Sequence, residues 1–97
     1  MTPDPIEGLE AIPGSTEVKR WEYDDGGFHI KELDLRADST PDEIKAFYEP
    51  RLDAKEMPVT DGFVSIQNDR DGKHFEVNYS RGNDMKTVQI LVKTPQP

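Results

Sequence analysis

Apolar residues recur along this chain with two different periods. Phe75, Val77 and Tyr79 alternate with His74, Glu76, Asn78 and Ser80, and Val88, Ile90 and Val92 alternate with Thr87, Gln89, Leu91 and Lys93. A period of two belongs to a strand with one buried and one wet face. Between them and the N-terminal third the spacing changes: Ile44, Phe47, Tyr48 and Leu52 stand at i, i+3, i+4 and i+8, a single stripe along a helix.

The punctuation between these runs fixes the order of elements. Asp24-Asp25-Gly26-Gly27 separates a strand over 17–23 from one over 28–37, and its glycines permit the positive φ angles of a tight hairpin turn. Strand 3, over 62–68, meets strand 4, over 73–80, across Asp69-Arg70-Asp71-Gly72. Strand 4 turns at Arg81-Gly82-Asn83-Asp84 into strand 5, over 85–93. In strand 2 the apolar residues change parity, from Phe28 and Ile30 to Leu33 and Leu35, and a bulge near Lys31-Glu32 would reconcile them.

The helix start is marked most plainly. Thr40 is followed by Pro41 and then Glu43, a capping box with proline at the first helical position, where its missing N–H is not needed. Asp42 and Glu43 also suit the positive end of the helix dipole. Pro50 removes a bond to Ala46, predicting a kink or a break there, and Pro58 closes the segment.

These elements give an α+β fold, ββαβββ, with a five-stranded antiparallel sheet and one helix packed on one face. A helix of roughly 16 residues rises about 24 Å, enough to return the chain across the sheet and set strand 3 parallel to strand 2. Two fully antiparallel orders satisfy this, 2-1-3-4-5 and 2-1-5-4-3. The second is preferred because it makes the most apolar strand, strand 5, central.

Residues 1–15 contain three prolines, two glycines and three acidic residues without a period, and read as an extended N-terminal arm or linker. Ile6, Leu9 and Ile12 are placed to tack it onto a surface. The domain proper covers 16–94, and 95–97 is a C-terminal tail, because proline has no N–H to donate to a central strand.

Charge narrows the class of partner. The 97 residues carry a net −8, with 16 acidic and 7 basic residues in 1–62 against 4 and 5 in 63–97, so the two parts carry −9 and +1. Affinity for nucleic acid comes largely from Lys and Arg neutralising phosphates, so an acidic chain argues against DNA, RNA and anionic membrane surfaces as partners. Cysteine is absent, which removes disulfides, thiol catalysis and thiolate metal sites together. No apolar run approaches the length of a membrane span.

The layout resembles a group of small bacterial domains, many of them in lipoproteins or otherwise exported proteins. They share a Pro-Gly start, a hairpin, a helix of pattern S-x-x-E-V-x-x-F-Y-x-x-x-L and a three-strand meander. The matching residues here are Pro13-Gly14-Ser15, Ser39 to Ile44, Phe47-Tyr48, Leu52 and Thr87 to Val92. Glu56-Met57-Pro58 stands where that group has Gly-Trp. The resemblance implies the fold and an envelope or exported setting, with a targeting segment preceding this chain, and brings no activity or cofactor.

Candidate chemistry is sparse. Asp69, Asp71 and Gly72 hint at a calcium loop, but aligning its glycine puts Gln67 at the first ligand position and Asn78 where a bidentate glutamate is needed, so a hairpin turn explains them better. His29 and His74 lie on different hairpins, and exposed strand histidines account for them better than a zinc site. His74 and Ser80 are six residues apart on one strand, about 20 Å, too far for a nucleophile and its base. Trp21, Tyr23 and Lys19 share a strand face, where packing is the usual role of such a pair.

The reading these observations support is a non-catalytic interaction or accessory domain, without cofactor or metal, whose polar sheet face meets a protein partner through His74, Glu76, Asn78, Gln89 and Leu91. Leu91 points to the polar side in this register. A second reading is a small acidic inhibitor or immunity-type protein that sets Glu22, Asp24 and Asp25 against a basic site on a target. Unpaired edge strands offer a route to a weak homodimer, with Lys31, Glu32, Asp34 and Arg36 on strand 2 as the defence that keeps the chain monomeric.

Overall fold

A computed structural model of the chain describes residues 2–54, 62–82 and 85–97. The elements follow in the order β1 (Thr16–Asp25), β2 (Phe28–Arg36), α1 (Pro41–Leu52), β3 (Phe63–Arg70), β4 (Lys73–Gly82) and β5 (Met85–Pro95). The five strands form one antiparallel sheet with α1 packed on one side of it against β3 and β4. The ββαβββ architecture read from periodicity is therefore the fold.

The strand order is β1-β2-β5-β4-β3, which corrects both expected orders. β5 is central, but β2 rather than β1 lies beside it, and the edges are β1 and β3. The reason is visible in β2, which is buried from both sides: Leu33 and Leu35 face the helix side while Ile30 packs on the other. The parity change is therefore no bulge. β2 pairs without interruption with β5 from Phe28 to Arg36, and the irregularity lies in β1, between Glu17 and Lys19. β1, by contrast, is exposed at eight of its ten positions, with only Trp21 and Tyr23 half-buried. That is the pattern of an edge.

In this order the two hairpins mirror one another about β5. β2 and β4 flank it and β1 and β3 lie outside, so both hairpin turns fall at the end of the sheet where β5 finishes. Each turn uses two residues of positive φ: Gly26 and Gly27 at 57° and 84°, Asp71 and Gly72 at 54° and 76°. These are the values of a type I′ turn, whose twist matches the flanking strands. Of the third turn, Asn83 and Asp84 lie outside the described residues, as do Glu56, Met57 and Pro58.

α1 starts as its sequence demands. The Thr40 hydroxyl accepts from the Glu43 N–H at 3.1 Å, and the Glu43 carboxylate accepts from the Thr40 N–H at 2.8 Å. The helix has 12 residues rather than roughly 16, and it continues through Pro50 without a break. Pro50 falls in the last turn, where only the carbonyl of exposed Ala46 loses its donor. Asp53 then adopts the left-handed conformation and donates back to the carbonyls of Glu49 and Pro50. Strand β3 finishes the cap, as Asn68 Nδ2 donates to the carbonyls of Leu52 and Asp53 at 2.7 and 3.0 Å, and Arg70 donates to that of Arg51. Tyr79, paired with Val64 at the opposite end of β3, donates to the carbonyl of Ser39. The helix therefore runs alongside β3 in the same direction, and β3 runs opposite to β2 instead of parallel to it.

Ile44, Tyr48 and Leu52 are fully buried, whereas Phe47 is half-buried with the Arg51 guanidinium 3.6 Å above its ring. The helix covers only half of the sheet, and the N-terminal arm covers the rest. Ile6, Leu9, Ala11 and Ile12 are buried in the same core as Leu33, Leu35 and Val92. Tyr48 joins helix to arm, its hydroxyl accepting from the Ile12 N–H at 3.0 Å and donating to the Glu10 carbonyl at 2.9 Å. Burial pushes its phenol well above the ordinary tyrosine value, so it stays a donor. Glu7 anchors the arm's other end between Lys31 on β2 and Lys73 on β4.

β5 extends to Pro95, two residues beyond the predicted end. β4 begins only at Lys73, so at Pro95 the strand has β2 alone beside it, and the missing N–H leaves no partner wanting. Gln96 N–H then donates to the Gly27 carbonyl at 2.9 Å.

Candidate functional site: the open face of the sheet

Register decides which side chains meet on the face away from the helix. Reading across β1, β2, β5, β4 and β3, one row is Tyr23, Ile30, Lys93, His74 and Asp69, the next is Trp21, Glu32, Leu91, Glu76 and Gln67, and the third is Lys19, Asp34, Gln89, Asn78 and Ser65. All five residues singled out from the sequence, His74, Glu76, Asn78, Gln89 and Leu91, lie in these rows. Glu76 is directly opposite Leu91 and Asn78 directly opposite Gln89. Among the described residues, no helix or arm covers this face.

The polar groups are joined into a line that crosses the whole sheet, one residue from each strand. Tyr23 donates to Glu32 at 2.7 Å, Gln89 Nε2 donates to Glu32 at 3.1 Å, Asn78 Nδ2 donates to Gln89 at 3.3 Å, and the Ser65 hydroxyl donates to Asn78 Oδ1 at 2.7 Å. Branches run to Glu76, 3.2 Å from Asn78, and to Gln67, 3.0 Å from Ser65. His74 closes one end, 2.6 Å from Asp69, 3.3 Å from Gln67 and 3.5 Å from Glu76. Each side chain in the line holds its neighbour's rotamer, so the row is ordered before any partner arrives.

Two carboxyl groups on β2 give the face its unusual electrostatics. Glu32 is only 5% exposed and takes its hydrogen bonds from the neutral donors Tyr23 and Gln89. The bond to Glu32 holds the Tyr23 phenol up at about 12. Asp34 stands beside Glu32 with one carboxyl oxygen buried and unpaired. Burial, then the neighbouring Glu32 carboxylate, push Asp34 up to about 6, against a smaller opposing pull from Lys19. Because β2 is interior, Glu32 and Asp34 do not guard an edge, which corrects the reading of strand 2 as a charge-protected margin. Their alternation with core residues Leu33 and Leu35 was the sequence signal that they face the other way.

The aromatic pair borders the same patch. Trp21 and Tyr23 are stacked, with ring centroids 6.2 Å apart and planes 25° from parallel, and Lys19 Nζ lies 4.1 Å over the indole. Leu91, 8% exposed and beside Glu32 and Glu76, and Ile30, 4% exposed and beside Tyr23, are the apolar floor of this face. At the hairpin end, Phe28, Pro95, His74, Lys93 and Asp69 line an open cleft of about 350 Å³.

The serine hydroxyl in the row is not set up as a nucleophile, because Ser65 donates to an amide oxygen and not to a base. The two imidazoles straddle β5 from opposite faces, His29 opposite Thr94 and His74 opposite Lys93, so they cannot share an ion. His29 is instead held by Asp24 at 2.8 Å and Glu22 at 2.9 Å, and these carboxylates, Asp24 foremost, raise its pKa. Among the described residues no three His, Asp or Glu side chains are placed to hold a metal ion, and no helix is long and apolar enough to cross a membrane. Compared with models of known protein families, with characterised proteins and with solved structures, the chain matches none.

Proposed function

We propose that this chain is a non-catalytic interaction or accessory domain that binds a protein partner across the open face of its sheet. The observation that carries this reading is the hydrogen-bonded row from Tyr23 to Ser65, crossing all five strands on a face that no described element covers. A pre-ordered polar row around a small apolar floor is the composition of a protein contact surface, with anchors at the centre and satisfied polar groups around them. Asp25, Glu32, Asp34, Asp69 and Glu76 outnumber Lys19, Arg36 and Lys93 there, so the matching partner surface is basic and rich in donors. The resemblance to exported bacterial domains adds an envelope setting to this reading.

The test is capture of a partner from the native host by the tagged chain, repeated with Asn78→Arg and with Ala46→Arg on the exposed side of α1. The reading requires a partner retained by the wild type and the α1 variant and lost with Asn78→Arg. The same partner held by all three would refute it.

The acidic-inhibitor reading has one observation in its favour. Glu22, Asp24 and Asp25 gather at the turn end of the edge strand, with the first two side chains 57% and 65% exposed. It predicts association with a basic target whose rate falls steeply with added salt and with Asp25→Lys, and is untouched by Asn78→Arg.

A further inference from the structure

We propose that β1 is a self-association edge, along which a second copy of this chain pairs antiparallel over residues 19–25, centred on Glu22, to make one continuous sheet. The inference is independent of what the open face binds.

The backbone sets which groups are free. Asp25 and Phe28 flank a two-residue turn and so exchange both hydrogen bonds, and bonding then alternates along the hairpin. The N–H and C=O groups of Lys19, Trp21, Tyr23 and Asp25 therefore turn toward β2, and those of Arg20, Glu22 and Asp24 turn outward. Among the described residues no backbone group bonds to this outward side. The irregularity at Glu17 and Lys19 lies before this run, leaving seven residues in regular register.

Side-chain charge favours a second copy over an arbitrary strand. Cations occupy the first part of the run, Lys19 and Arg20, and anions the last, Glu22, Asp24 and Asp25. Reversing a copy against itself about Glu22 sets Arg20 opposite Asp24 and Lys19 opposite Asp25, each twice by symmetry, and sets Trp21 opposite Tyr23 on the open face. Opposite charges and aromatic pairs directly across strands are the favourable combinations. The one like-charge contact is Glu22 with its own copy, and each of these carboxylates has His29 Nε2 at 2.9 Å. The other edge lacks this property: β3 carries Asp69 and Arg70 together at one end and Phe63 at the other, so reversal opposes charge to an apolar residue.

Because the chain has no cysteine, a single one reports the register without background. Residues opposed in a hydrogen-bonded antiparallel pair have Cα atoms about 5.5 Å apart, within disulfide reach. Mild oxidation is expected to link Glu22→Cys into a covalent dimer and to leave Val18→Cys, which does not face itself, largely monomeric. Sedimentation equilibrium of the wild type is expected to show a monomer–dimer equilibrium, weakened roughly tenfold by Asp24→Arg through its two symmetry-related pairs. Combining Arg20→Asp with Asp24→Arg should restore it. A wild type that sediments as monomer at millimolar concentration, or Glu22→Cys that links no faster than Val18→Cys, overturns the proposal.

Discussion

Glu32 and Asp34 stand two residues apart on the same face of an interior strand, so their carboxyl groups are neighbours where burial has already raised the energy of charge. One consequence is a pH dependence with the reverse of the usual carboxylate sign. Asp34 is raised from 3.8 to about 6, so the folded chain holds a proton that the unfolded chain releases between those values. Its contribution to stability is present below about pH 4 and is lost as pH rises through about 6. Asp34→Asn is expected to raise the thermal midpoint at pH 7 by roughly 4 to 8 °C, the effect of about 1 kcal/mol after screening at a partly exposed site. The difference should vanish at pH 4, and thermal unfolding followed across pH checks both.

Glu7 behaves in the opposite sense. Its hydrogen bonds to Lys31 and Lys73 lower its carboxyl from 4.5 to about 2, so its contribution is complete above pH 4.5 and lost as pH falls through 2. Glu7→Gln should cost about 1 kcal/mol at pH 7, the sum of two partly exposed pairs, and progressively less as pH falls toward 2. Together with Asp34 it places greatest stability near pH 4 to 5, which urea titrations at a series of pH values would locate.

Tyr48→Phe tests whether the arm is part of the core. The substitution keeps the ring and removes the oxygen that joins Ile12 N–H to the Glu10 carbonyl, leaving the buried Ile12 N–H unpaired at a cost of about 1 to 3 kcal/mol. Proteolysis should then begin within residues 2–15 while α1 and the sheet stay protected.

Asn78→Leu separates order on the open face from stability of the fold. Asn78 bonds to Ser65, Glu76 and Gln89 but lies outside the core, so the stability change should stay under about 1 kcal/mol. The hydroxyl, amide and carboxylate resonances of the row should shift together, and side-chain amide signals of Gln89 in NMR spectra would report it.

What could be read from sequence followed from how local each cause was. The Thr40 capping box, the Gly26-Gly27 and Asp71-Gly72 turns and the alternation of β4 and β5 are settled within a few residues, and each stands in the structure where it was expected. The place of β2 was misjudged because the two-sided burial of Ile30 and Leu33 has the same sequence appearance as a bulge. Only neighbours brought in from β5, some 60 residues later, distinguish them. The rows of the open face were half legible for the same reason. His74, Glu76, Asn78, Gln89 and Leu91 belong to adjacent, consecutive strands, whereas Glu32, Asp34 and Ser65 join them only through strand order.

The central position of β5 also fixes the timing of assembly. β1 with β2, and β3 with β4 and β5, pair between neighbours in sequence, whereas β2 pairs with β5 across about 50 to 65 residues. The contacts that join the first hairpin to the rest of the sheet are long-range ones, a topology expected to fold in milliseconds to seconds. The seam between β2 and β5 is thus the one place where the sheet is closed by residues far apart in sequence, and substitutions there are expected to slow refolding more than equally destabilising ones in either hairpin turn, as stopped-flow refolding would report.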